Sequence, residues 1–220
     1  MLLDGRFRVV FMIDPSSPLA QQIFLAPGSV PGVSFRLANA HDLRALQENC
    51  YPEIDWWQFQ HHYEYLLKWQ ENGRCYILVA EIAHSYVNRF GKSIRDDSAM
   101  LITGLPNLGR AQSNHRATVI GSGQLIFQAD TAEIAELSVH PTYRNQGIGT
   151  AIIHILTQIA QERKTSILEI GADIDNEAAL RLYRRLGFGR DRYLRLPNAQ
   201  EAIVLKKYLA QRRGGAEDIL

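Results

Sequence analysis

The chain has 220 residues, enough for one large domain or one domain with extensions. Hydrophobic residues make up 46% and charged residues 21%, which provides for a sizeable core and excludes a disordered chain. With 24 basic against 23 acidic side chains the net charge is +1, so no global grip on nucleic acid or anionic lipid is expected, and any anion site must be local. Two cysteines, Cys50 and Cys75, cannot form a disulfide framework or a four-thiolate zinc site, and no apolar run reaches the roughly 18 residues of a membrane span. The expectation is a cytoplasmic protein with no membrane partner.

Residues 1–32 carry Pro15, Pro18, Pro27, Gly28, Pro31 and Gly32, which break regular structure, and they read as an extension. Residues 34–37 suit a first strand. Asn39 then caps a helix through Leu43, Leu46 and Cys50, with Asp42 placed to complete a capping box and Pro52 closing it. Asp55 opens a second helix, on which Trp56, Phe59, Tyr63, Leu66 and Leu67 repeat at helical spacing until Asn72-Gly73 ends it. The short apolar runs at 75–83 (CYILVAEIA) and 118–127 (TVIGSGQLIF) read as partner strands. Between them, residues 84–117 exceed an ordinary connection and read as a mobile loop, a functional lid or a structured insert.

Residues 133–139 (EIAELSV) form a further strand, and HPTYRNQ leads to a turn at Gly147 and Gly149. The next helix places Ile148, Ile152, Ile155 and Ile159 on one face. A strand at 167–171 precedes a helix capped by Asp175-Asn176, carrying Ala179, Leu182, Tyr183 and Leu186 and ended by Gly187. The segments RDRYLRL and EAIVLKKYL supply two closing strands, and residues 211–220 form a tail.

Gly147 and Gly149 stand between a strand and the first turn of a helix, where free N–H groups and the positive end of the dipole favour a phosphate. A tight turn without a ligand is the plain alternative. A Walker loop requires a lysine that is absent here, and a dinucleotide fingerprint requires a small residue where Ile152 stands and a turn directly after the strand. The run from Val139 to Gly149, VHPTYRNQGIG, resembles instead the coenzyme A pyrophosphate loop of the GNAT acyltransferase superfamily, Arg/Gln-x-x-Gly-x-Gly/Ala, with Arg144, Gly147 and Gly149 in its defining places. Asn176, Ala179, Tyr183 and Gly187-Phe188 are similar to the helix that follows in that family.

The resemblance covers roughly residues 33–208, with its specificity between 133 and 188. It implies an α/β (α+β) domain over 33–210: a mixed, mostly antiparallel sheet of six to seven strands flanked by about four helices. Strands 133–139 and 166–171 would splay apart to admit acetyl-coenzyme A as co-substrate, with no metal. By the same carry-over, Leu137, Ser138 and Val139 would hold the pantetheine arm. Arg144, Asn145, Gln146, Gly147, Ile148, Gly149 and Thr150 would hold the pyrophosphate, with Asn176 and Tyr183 completing the cofactor site.

Acyl transfer to an amine needs a deprotonated nucleophile and a proton for the departing thiolate. Tyr183 is similar in position to the family's thiolate-protonating tyrosine; packing on an apolar helix face is its plain alternative. Ala132-Glu133-Ile134-Ala135 resembles the histone-acetylating branch, which makes Glu133 the first candidate for general base and Glu136 the second. Regular strand alternation sends 133 and 136 to opposite faces, so at most one should face the cleft. His140 is not counted as catalytic. His61 and His62 diverge on their helix and read as surface residues, Arg181, Arg184 and Arg185 read as a charged outer face with contact to the ribose phosphate of coenzyme A as the alternative, and Trp56, Trp57, Tyr63 and Trp69 read mostly as core.

The function expected is transfer of an acetyl group from acetyl-coenzyme A directly to a primary amine, of a small molecule or a protein, in a ternary complex. A non-catalytic acyl-coenzyme A-binding regulatory module of the same fold is the alternative, and a dinucleotide-binding domain is a third reading. No nucleic-acid partner is expected, and a homodimer is left open.

Overall fold

The computed structural model describes residues 32–82, 117–196 and 200–209. The expected extension 1–32, save Gly32, the insert 84–117, save Ala117, and the tail 211–220 lie outside the described residues. In chain order the elements are β1 (Val33–Leu37), α1 (Leu43–Cys50), α2 (Trp56–Glu71), β2 (Cys75–Ile82), β3 (Thr118–Gln128), β4 (Thr131–Val139), α3 (Ile148–Glu162), β5 (Ile167–Asp173), α4 (Glu177–Arg185), β6 (Gly189–Arg195) and β7 (Glu201–Tyr208). The expected mixed, mostly antiparallel sheet with four flanking helices is the architecture observed.

Local signals start and stop these elements. Asn39 accepts from the His41 amide at 2.9 Å and Asp42 accepts from the Asn39 amide at 2.8 Å, so the capping box forms, enclosing a 3-10 turn (Ala40–Asp42) that feeds α1. Asp55 caps α2 through the Trp57 amide at 2.9 Å, and Asn176 caps α4 through the Ala179 amide at 3.1 Å. Gly187, with φ at +86°, takes the left-handed conformation that ends α4.

The seven strands lie in the order β1-β2-β3-β4-β5-β7-β6, and every neighbouring pair is antiparallel except β4 and β5. One face packs on α3 and α4 through Ile120, Leu125, Ile134, Ile152, Leu156, Leu168 and Leu205; the other packs on α1 and α2 through Leu46, Phe59, Tyr63, Ile77 and Val79. Helix α3 lies so close on β3 that a Cβ at Gly123 would stand 2.7 Å from Ile152 Cγ2, which explains a glycine in the middle of a strand. The thiols of Cys50 and Cys75 are free and buried, and no described helix is long and apolar enough to cross a membrane.

Two irregularities position the site. The parallel pairing of β4 with β5 runs only from Thr131↔Ile167 to Ile134↔Ile170; beyond it β4 stays with β3 and β5 with β7, so the two strands part. At the parting, β4 bulges: Gln124 pairs with Ala135 and Ser122 with Ser138, leaving Glu136 and Leu137 opposite the single Gly123, with Glu136 at φ +48°. This corrects the expectation that Glu133 and Glu136 face opposite ways. The extra residue resets the alternation, and both carboxylates lie on the face that α1 and α2 pack against.

Candidate active site

On the α3–α4 side of the parting, a cleft of about 530 Å³ is lined by Leu137 and Val139 of β4, the turn residues Tyr143 to Thr150 apart from Gln146, the α4 N-cap Asn176 and six positions of α4 between Ala178 and Arg185. Of the residues expected to bind cofactor, it brings together Leu137, Val139, Arg144, Asn145, Gly147, Ile148, Gly149, Thr150, Asn176 and Tyr183. Ser138 and Gln146 are not in its wall. The Ser138 hydroxyl donates to the Cys50 carbonyl at 2.7 Å on the opposite face, and the Gln146 amide nitrogen donates to the Thr142 carbonyl at 3.2 Å.

The turn is built from its own bonds. His140 Nδ1 accepts from the Thr142 amide at 3.3 Å and caps a 3-10 turn over Pro141–Tyr143, while Arg144 Nε donates to the Val139 carbonyl at 2.9 Å. Asn145 and Gly147, at φ +60° and +88°, swing the chain into α3. The first helical bond runs from the Ala151 amide to the Gly147 carbonyl, and Gly147 offers no capping side chain. The amides of Ile148, Gly149 and Thr150 therefore point out of the helix end into the cleft, as an anion requires. A Cβ at Gly149 would meet nothing closer than Val139 Cγ2 at 3.8 Å, so the fold itself does not demand that glycine.

Tyr183 sits in the cleft wall at 5% exposure, its ring 6.3 Å from that of Phe188, and burial pushes its hydroxyl up to about 12. The phenol is thus neutral at physiological pH and able to donate.

The carboxylates lie across the sheet from this cleft. Glu136 accepts from Gln124 Nε2 at 2.8 Å and from the Tyr63 hydroxyl at 3.2 Å, with His62 Nε2 3.7 Å away. The Tyr51 hydroxyl donates to the Glu136 carbonyl and fixes the bulge. Glu133 stands deeper, before the parting, opposite Glu169; burial and then the Glu169 charge push its carboxyl up, and Arg192 opposes them.

Gln124, Tyr51 and His62 were not singled out for this site by sequence. Gln124 had a signal, a polar side chain inside an apolar run, which when buried requires a partner. Among the expected core aromatics, Tyr63 is buried but Trp57 is 76% exposed. Arg181 and Arg185 border the cleft instead of merely facing outward.

Residues 85–188 match the model of the acetyltransferase (GNAT) family. Over these 104 of its 220 residues the chain is similar to the GNAT family. The match begins within the long segment between β2 and β3 and ends at Phe188, enclosing the turn and α4. An uncharacterized N-acetyltransferase of Methanocaldococcus jannaschii is 40% identical over 63 residues, which are 29% of this chain and 28% of that protein. The ribosomal protein bS18-alanine N-acetyltransferase of Escherichia coli is 30% identical over 81 residues, 34% of this chain and 55% of that protein. The matches thus span about half the length of these relatives or less. Among solved structures, a ribosomal L7/L12 alpha-N-protein acetyltransferase in complex with coenzyme A shares the GNAT fold at a TM-score of 0.59 and 12% identity, covering 86% of this chain and 98% of that one.

Proposed function

We propose that this chain is an N-acetyltransferase that moves an acetyl group from acetyl-coenzyme A directly to a primary amine within a ternary complex. The observation that carries the reading is the meeting, in one cleft, of the open α3 amides, the parted β4 and β5 strands and the buried neutral Tyr183. The donor set fits the co-substrate: backbone amides at a helix N-terminus for a pyrophosphate, and the β4 edge freed by the parting for an amide-bearing arm. The acetyltransferases to which the chain is similar, one of them in complex with coenzyme A, support the same assignment.

Bound there, acetyl-coenzyme A supplies an acetyl thioester ready for nucleophilic attack. The residues of this chain do the rest. Glu133, more basic than an ordinary carboxylate, accepts the proton of the incoming ammonium directly or through water. Glu136, fixed by Gln124 and Tyr63, presents a negative charge to the same amine on the side facing α1 and α2. From the opposite side, Tyr183 donates a proton to the departing sulfur. Opposite approach of amine and thioester makes direct transfer the natural course. The relatives' names make the amine of a protein the first acceptor to try.

The test is a turnover screen with acetyl-coenzyme A across peptides, polyamines and amino acids, reading free thiol and product mass. Release of coenzyme A coupled to an acetylated amine is expected. Binding of acetyl-coenzyme A without turnover on any amine would support the regulatory-module reading instead.

A further inference from the structure

We infer that Glu169 is a positioning residue for Glu133, a fixed negative charge clamped by Arg192 and Lys206 that sets the proton affinity of the Glu133 carboxylate. This rests on the reading of Glu133 as proton acceptor.

The two residues are register partners on the parallel strands β4 and β5, so their side chains leave the same face from strands about 4.8 Å apart. Glu169 is gripped bidentately, with Arg192 Nη1 3.2 Å from Oε1 and Nη2 2.9 Å from Oε2. Lys206 Nζ adds a contact at 3.4 Å. Asp191 closes the cluster through Arg192 at 2.8 Å and Lys206 at 3.1 Å. Both cations of the cluster are therefore spent on Glu169 and Asp191, and Glu133 stands beside it as a third carboxylate.

This arrangement divides two adjacent carboxylates into different roles. The hydrogen bond from Arg192 above all holds Glu169 below the usual carboxylate range, so it stays charged. Half-buried Glu133 then feels both the cost of desolvation and a neighbour that stays ionised to lower pH than an ordinary carboxylate, and its proton affinity rises. Among the described residues, the charged or titratable groups about Glu133 include Glu136 on its own strand, with Tyr63 and His62 of α2 beside it, Asp191 and Arg192 on β6, Lys206 on β7 and Cys75 on β2 beyond its apolar β3 partner Ile126. The positive charge of Arg192 opposes this rise, which makes Arg192 the natural opposing lever.

The experiment is a side-chain carboxyl NMR titration of the protein without ligand, with Glu133 assigned by Glu133→Gln, in the parent, Glu169→Gln and Arg192→Gln. The Glu133 midpoint should fall in Glu169→Gln and rise in Arg192→Gln. Lys206→Gln, which loosens the same clamp from a second side, should move it as Arg192→Gln does, by less, and serves if the arginine variant does not fold. An unmoved midpoint, or movement in the same direction in Glu169→Gln and Arg192→Gln, overturns the inference, since mere loss of packing would not split the two. The acid limb of kcat/KM for the best amine should follow the midpoints. Split midpoints with a stationary acid limb would uphold the coupling and remove Glu133 from the base role.

Discussion

In the proposed reaction Tyr183 and Glu133 carry opposite proton tasks, and their surroundings differ accordingly. Tyr183 is enclosed by apolar side chains of the α3–α4 face, which holds its hydroxyl protonated up to about 12. Tyr183→Phe should lower kcat by on the order of 10²–10⁴ while changing acetyl-coenzyme A affinity little, because the hydroxyl acts only as the sulfur departs. Steady-state kinetics beside a binding titration separate these; unaltered kcat would return Tyr183 to packing. Glu133 is raised by burial and by Glu169, which favours proton uptake from an ammonium. For Glu133→Gln the expected loss is largest at neutral pH and shrinks as pH rises and the amine deprotonates unaided. A rate profile with a constant deficit across pH would contradict a base.

At the level of elements, the site exists because β4 departs from regular pairing twice, at the bulge and at the parting from β5. The tight seat of α3 on β3 keeps that geometry. Gly123→Ala would drive a methyl against Ile152 and Leu156, costing roughly 1–3 kcal/mol by denaturant unfolding. Wild-type stability would mean that α3 has slack. Helix caps, the turn at Gly147 and the α3 face were legible in the sequence because each rests on residues a few positions apart, such as Asn39 with Asp42 or Asn176 with Ala179. The bulge was not, since nothing near Ala135-Glu136 distinguishes it from a regular strand; it arises from register against β3, more than ten residues away. The same limit hid the pairing of Gln124 with Glu136 and the seat of His62. The role proposed for the turn at Gly147 was legible only through its resemblance to a family loop, whereas a lone pair of glycines would have supported a plain turn equally well.

Across the whole molecule, buried acids that ionise reluctantly set the alkaline limit. Cys50 and Cys75 are pushed up to about 12 from 9.0, Tyr183 to about 12 from 10.0, and Tyr51 and Tyr63 are raised as well, all chiefly by burial. Between pH 9 and 12 the unfolded chain releases these protons while the folded chain keeps them, so the native state binds more protons and stability falls as pH rises. Melting temperatures should be insensitive to these groups below pH 9 and should drop steadily above it; a flat profile to pH 11 would contradict their burial. In the proposed reaction the sheet would also divide the work, with the α3–α4 face taking the acyl carrier and the α1–α2 face taking the amine. In the proposed reaction acetyl-coenzyme A seats its pyrophosphate on the α3 amides. Calorimetric titration of acetyl-coenzyme A into the parent and into Gly149→Val tests it most directly, because Gly149 has an ordinary backbone conformation with room for a Cβ, whereas Gly147 at φ +88° does not tolerate the change without strain. Saturable binding by the parent, lost in a variant with an unchanged melting temperature, is the result predicted; equal affinity in the two folded proteins would contradict it.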